Sequence, residues 1–201
     1  GYGREISCFS RDCIGYNTEF DLKGFLDDKA DALDGLGEYP PIIGPVETYE
    51  PQKDDVFICA LGDVHYKKKY IDIILSKHGE FINLIHKNAY VNKKAQIGKG
   101  CIILRGTTLS CNVVIGDFVT IQNLVTIGHD VRIGSFSHFN SYTFMGGFSS
   151  VGDLTAVNVG AKILPHIKVG NNCVVGAGSI VIKKVKDNTT VFGSPAVRLE
   201  Y

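Results

Sequence analysis

The chain has 201 residues, with 21 Lys and Arg against 21 Asp and Glu, so its formal charge is zero. That balance excludes the basic excess of a nucleic-acid binder, and no apolar run approaches the roughly 20 residues of a membrane span. No charged-then-apolar leader is visible, and none of the six cysteines stands in C-x-x-C spacing. Reduced thiols and a cytoplasmic location are therefore expected.

In chain order, Gly1-Tyr2-Gly3 reads as a glycine turn entering a helix over 3–11. Such a turn ordinarily follows a strand, which the sequence does not contain. A helix N-terminus behind glycines can hold a phosphate, and a merely structural turn is the competing reading. Residues 20–26 have the pattern of a strand ended by Asp27-Asp28. The apolar run 56–61, closed by Gly62-Asp63, reads as a buried parallel strand. Residues 64–78 carry helical spacing through Tyr66, Tyr70, Ile73 and Ile74. Strand alternating with helix predicts a small open α/β domain over 1–84, of the Rossmann-like kind that binds ligands beyond its strand ends. Lys67-Lys68-Lys69 is expected to be a solvated helix face, or else to meet phosphates.

From residue 85 a different rule takes over. Every sixth residue from Ile85 to Val181 is apolar, without a phase shift. Neither a helix nor a single strand has that period. A second row, four residues after each ladder position, is small or β-branched. Gly98, Gly116, Gly134, Gly152 and Gly170 recur every eighteen residues and mark a corner, through positive φ or close approach. Three hexapeptides thus make one turn of a triangular coil. Stacked turns bury the ladder against one another.

The ladder, with the tail Phe192-Gly193-Ser194-Pro195-Ala196-Val197, resembles the hexapeptide-repeat acyltransferases. The resemblance implies a left-handed β-helix over 85–201, acetyl-CoA as co-substrate, no metal, and a homotrimer with active sites at subunit interfaces. Together with Gly24-Phe25-Leu26-Asp27-Asp28 and Ala60-Leu61-Gly62-Asp63, the chain is similar to one subgroup. That subgroup holds the sialic-acid O-acetyltransferases and the nucleotide-linked amino-sugar N-acetyltransferases of bacterial surface-glycan synthesis. Gly1, Tyr2, Gly3, Asp27 and Asp28 match positions that grip the nucleotide-sugar. Pro195 matches a proline near coenzyme A.

Acetyl transfer from a thioester needs a base and donors for the developing oxyanion. Of six histidines, His129 lies two places past a ladder residue and so points away from the core, with Asp130 beside it to orient the imidazole. Eighteen residues on, the same column holds Gly147, which leaves room for a ligand and exposes a backbone N–H. The resemblance agrees. It implies that His129 and Asp130 are the catalytic pair, that His138 is a second active-site histidine touching acetyl-CoA, and that Gly147 N–H meets the acetyl carbonyl. His65, His78 and His166 read as surface residues, and His86 lies at the domain junction. Lys183, Lys184 and Lys186 lie on the last coil, where the coenzyme's phosphates can run.

The run 121–124 departs from the family's Asn-Thr-Gly, so the acceptor stays open. N-acetylation of a nucleotide-linked amino sugar is the first reading, and O-acetylation of sialic acid or another small hydroxyl acceptor the second. A zinc anhydrase would need a close histidine pair, and His129 and His138 are nine apart. A non-catalytic scaffold gives His129-Asp130 no purpose.

Overall fold

Two-residue strands recur every six residues from Leu84–Ile85 to Ile180–Val181, and each ends on a ladder residue. The computed structural model describes residues 1–199, and the last two residues of the predicted coil domain lie outside them. Each strand pairs in parallel with the one eighteen residues on, as Thr126–Ile127 does with Phe144–Met145. The result is a left-handed β-helix with three faces. The covered face runs through Ile102–Ile103, Thr120–Ile121 and His138–Phe139. The open face runs through Thr108–Leu109, Thr126–Ile127 and Phe144–Met145. The back face runs through Val114–Ile115, Arg132–Ile133 and Ser150–Val151.

The two sequence rows fill the interior. From Ile103 to Val181 every ladder residue is buried. Each buried Val, Ile or Leu contributes about 1.5–3 kcal/mol over exposure. The second row includes buried Ser137 and Thr155, whose hydroxyls donate to the Gly152 and Gly170 carbonyls at 2.7 and 2.9 Å. Those hydroxyls are thus buried without an unmet hydrogen bond.

The glycine column works by close approach alone. None of Gly98, Gly116, Gly134, Gly152 and Gly170 has positive φ. A Cβ on Gly116 would lie 2.6 Å from Ser135 Oγ and 2.8 Å from its backbone nitrogen. The left-handed conformation falls three residues after the ladder instead. From Gly100 to Gly178 every sixth residue has φ between 53° and 71°, most of them not glycine.

The N-terminal segment differs from the expected domain. Helix α1 spans Tyr2–Ser10 and α2 spans Val64–Ser76. Asp63 caps α2, its carboxylate accepting from the His65 and Tyr66 amides at 2.9 Å. The strands form two separate parallel pairs, β1 (Phe25–Leu26) with β2 (Ile42–Gly44), and β3 (Val56–Phe57) with β4 (Glu80–Phe81). Among the described residues these pairs do not join into a separate Rossmann-like sheet. Residues 20–24 do not pair in β1, and Val56 is exposed rather than buried. Beyond Phe57 the chain leaves the sheet, because Ile58 and Ala60 pack with Ile6, Leu84, Ile102 and Leu104 on the covered face. The segment therefore shares its apolar core with the coil.

Candidate active site

At the corner between the open and back faces, the ladder residue Ile127 is followed by Gly128, His129 and Asp130. Asp130 has φ of 58°, which turns its side chain back beside its neighbour. Its Oδ2 lies 2.9 Å from His129 Nδ1, and Asn112 Nδ2 donates to its Oδ1 at 3.1 Å from the coil before. The His129 contact first, then the Asn112 amide, holds the Asp130 carboxyl below its ordinary pKa. Nδ1 carries the proton toward the carboxylate, so Nε2 is the nitrogen with a free lone pair.

That Nε2 lies over Gly147. A Cβ at Gly147 would sit 2.6 Å from Nε2 and 2.7 Å from Cε1. Any residue but glycine would displace the imidazole. On the back face the amide two places past each ladder residue is capped by a side chain of the next coil. Ser135 N, for example, donates to Asp153 Oδ1 at 2.7 Å, and Asp153 N to Asn171 Oδ1 at 2.9 Å. In the His129 column the next coil holds Pro165, which has no acceptor side chain. Among the described residues nothing accepts from the Gly147 N–H. An imidazole nitrogen over Gly147 and a Gly147 N–H without an acceptor therefore stand at one corner, and a base and an oxyanion donor are the two groups acyl transfer requires.

Phe148 completes this corner. Its ring meets the His129 ring edge-on at 5.0 Å and 86°, and stacks on His166 at 5.1 Å and 6°. No local pattern in the sequence marks Phe148, and His166, expected at the surface, stacks on it. The adjacent column, one residue along in the same period of eighteen, aligns Asp130, Phe148 and His166.

His138 is placed elsewhere. It lies on the covered face, 1% exposed, beneath α1 and α2. Its Nε2 is 3.1 Å from Gln122 Nε2, and its Nδ1 is buried without a partner. The Tyr2 ring lies 5.9 Å away. Burial, and then Lys67, push its pKa down to about 3, so this imidazole is neutral at pH 7. Within one chain it does not join His129.

Lys67 corrects the expectation of a solvated lysine face. It is 1% exposed and donates to Ser137 O at 3.1 Å and Thr120 Oγ1 at 3.4 Å. Burial pushes its pKa down to about 8. Lys69 is exposed, as expected, and Lys68 partly so, its ammonium 5.2 Å from the Phe136 ring. His86 is also buried, with Asn88 N donating to its Nδ1 at 3.0 Å.

The remaining positions are brought partly together. The Cβ position of Gly3 is 3.7 Å from the Phe25 ring, which sets the start of α1 against β1. Asp27 and Asp28 follow β1 and are exposed. Asp28 Oδ2 accepts from Tyr70 Oη at 3.2 Å. Pro195 is exposed in the hairpin between strands Thr190–Gly193 and Ala196–Arg198, on the last strands of the covered face.

No family model matches the chain. The galactoside O-acetyltransferase of Lactococcus lactis is 42% identical over 41 residues, a stretch that spans about a fifth of either chain. Among solved structures, PerB from Caulobacter crescentus, in complex with CoA and GDP-perosamine, matches with a TM-score of 0.77. It is 26% identical over 80% of this chain and 79% of its own. The acetyltransferase domain of PglB from Neisseria gonorrhoeae, in complex with acetyl coenzyme A, matches with a TM-score of 0.87 at 22% identity. It covers 99% of this chain and 95% of its own, a likeness of fold. The resemblance to hexapeptide-repeat β-helix acyltransferases, carried in the sequence by the six-residue ladder, therefore stands in the fold as well.

Proposed function

We propose that this protein transfers an acetyl group from acetyl-CoA to the amine of a nucleotide-linked sugar, in bacterial surface-glycan synthesis, with His129 as general base. The observation that carries the reading is the free Nε2 of His129 over the open Gly147 N–H. The likeness to PerB, bound to CoA and GDP-perosamine, supports the choice of acceptor. The amine lone pair attacks the thioester carbonyl carbon, and its proton passes to His129 Nε2. Asp130 stabilises the imidazolium, and Gly147 N–H donates to the oxyanion. The C–S bond then breaks, and the coenzyme thiolate takes the proton from the imidazolium and leaves.

Residues 1–84 take the nucleotide-sugar, with Gly1, Tyr2 and Gly3 at the start of α1 and Asp27 and Asp28 beside them. Pro195 and the lysines of the last coil lie along the coenzyme. The assembly is a homotrimer. Leu124, Tyr142, Phe144 and Leu164 are exposed apolar side chains on the open face and its two corners, the surface a neighbouring subunit would cover. His138, remote from His129 in its own chain and buried beneath Tyr2 and α2, then underlies the N-terminal segment that would meet the neighbour's His129 corner.

The test is acetyl-CoA consumption across UDP-, GDP- and dTDP-linked amino sugars and free sialic acids. One nucleotide-linked amino sugar should be turned over well above the others. His129→Ala should lower that turnover by about two to four orders of magnitude with the fold intact. Turnover of a hydroxyl acceptor alone would establish O-acetylation, the reaction named for the Lactococcus relative. Near-normal rates in His129→Ala would remove the base.

A further inference from the structure

Phe148 has no packing reason to be aromatic. It occupies a left-handed corner with φ of 58°, a conformation that costs a non-glycine residue about 1 kcal/mol. The equivalent position elsewhere holds Gly160, Gly178, Asn112 or Asn172, but also Leu124, Leu154 and Tyr142, so the turn itself does not call for an aromatic. Where Phe118 and Phe136 stand there, the N-terminal segment covers them, through Phe81 at 5.2 Å and Lys68 at 5.2 Å. Phe148 joins no such cluster. It is 52% exposed, and the aromatic rings it meets are those of His129 and His166. Its backbone N–H donates to His129 O at 3.0 Å, which fixes the ring's origin beside the base.

On the reading given above, the thioester carbonyl rests on Gly147 N–H, one residue before Phe148. The acyl carbon then lies beside that N–H, and the attacking amine stands between it and His129 Nε2. The floor beneath it, Gly146 and Gly147, has no side chains. Pro165 closes the next coil: a Cβ on Gly146 would lie 2.5 Å from its ring. The substituent on the acyl carbon is therefore bounded by the Phe148 ring, which His166 backs from behind. We infer that Phe148, held by its stack on His166, is a specificity-determining residue that limits the acyl group to acetyl size. This rests on acyl-CoA being the donor, and on nothing about the acceptor.

The ligands that test it are acetyl-CoA, butyryl-CoA and free CoA, titrated calorimetrically into the full chain. No acceptor is needed. The wild type should bind acetyl-CoA about tenfold or more tighter than butyryl-CoA, the scale of discrimination a small apolar pocket supplies. Phe148→Gly suits the left-handed backbone and should erase most of that ratio while leaving free CoA unchanged. His166→Ala should erase part of it. If Phe148→Gly proves unfolded by circular dichroism, Phe148→Leu should give an intermediate ratio. An unchanged ratio in folded Phe148 variants overturns the inference. So does a wild type without preference, or a change in oligomeric mass with the ratio kept, which would make Phe148 a subunit contact. If neither acyl-CoA nor CoA binds, the proposed acetyl transfer fails first, and the role of Phe148 with it.

Discussion

Gly147 and Gly134 are both corner glycines of the same solenoid, yet adding a methyl group should do opposite things at each. At Gly147 the obstacle is the end of the His129 side chain, which can swing away. Gly147→Ala should therefore keep the melting temperature near wild type and lose most turnover, because the imidazole no longer lies over the N–H. At Gly134 the obstacle is the backbone of Gly152 and Asp153. Gly134→Ala should lower stability by about 1–3 kcal/mol, the usual range for overpacking, as read by urea denaturation. Finding the two losses exchanged would mean that the His129 corner is structural. The His129–Gly147 pairing was legible in the sequence because it follows from the period of eighteen alone. The burial of His138 and Lys67 was not. It is produced by Tyr2 and α2 settling on a face more than fifty residues away in the chain, and no local pattern encodes that.

The coil strands illustrate a different limit. Their positions, inward rows and parallel register were legible because each rests on a repeating contact between identical positions of successive turns. The elements of the N-terminal segment have no repeat. Helix α1 was legible from the glycine turn that opens it, and α2 from the spacing of Tyr66, Tyr70, Ile73 and Ile74. Strand lengths were not, since Ile58 and Ala60 choose the covered face of the coil over a sheet of their own. The docking of α2 also has a pH signature. The folded pKa of His138, about 3, lies below its unfolded value near 6.5. Between these the unfolded chain binds more protons, so stability is full above pH 6.5 and is lost as pH falls toward 3. Lys67, lowered to about 8 by burial, acts in the alkaline window. Stability should rise between pH 8 and about 10.4, as the buried ammonium is relieved of its charge. His138→Gln should flatten the acid limb and Lys67→Met the alkaline rise, in denaturation midpoints measured across pH. Limbs unchanged in both variants would place the titrating groups elsewhere.

At the scale of the whole molecule, the separation of His129 from the N-terminal segment becomes the main constraint on function. His129 stands at the corner between the open and back faces, whereas Tyr2 lies against His138 on the covered face. A single chain does not bring the proposed base and the proposed nucleotide-sugar residues to one place. A trimer does, if the open face and its exposed Leu124, Tyr142 and Phe144 turn inward and set one subunit's base corner against the next subunit's covered face. That arrangement predicts complementation. His129→Ala retains Asp27 and Asp28, and a chain carrying Asp27→Ala and Asp28→Ala retains His129. Each variant alone should be nearly inactive at low substrate. Denatured together in equal amounts and refolded, they should form mixed trimers in which about a quarter of the interfaces pair an intact base with an intact nucleotide site. Activity should recover to about that fraction of wild type, with a mass three times the 21.9 kDa of one chain. A mixture no more active than its two components would mean that each chain completes its own site. The path between His129 and the N-terminal segment would then have to be spanned by the substrate within one subunit.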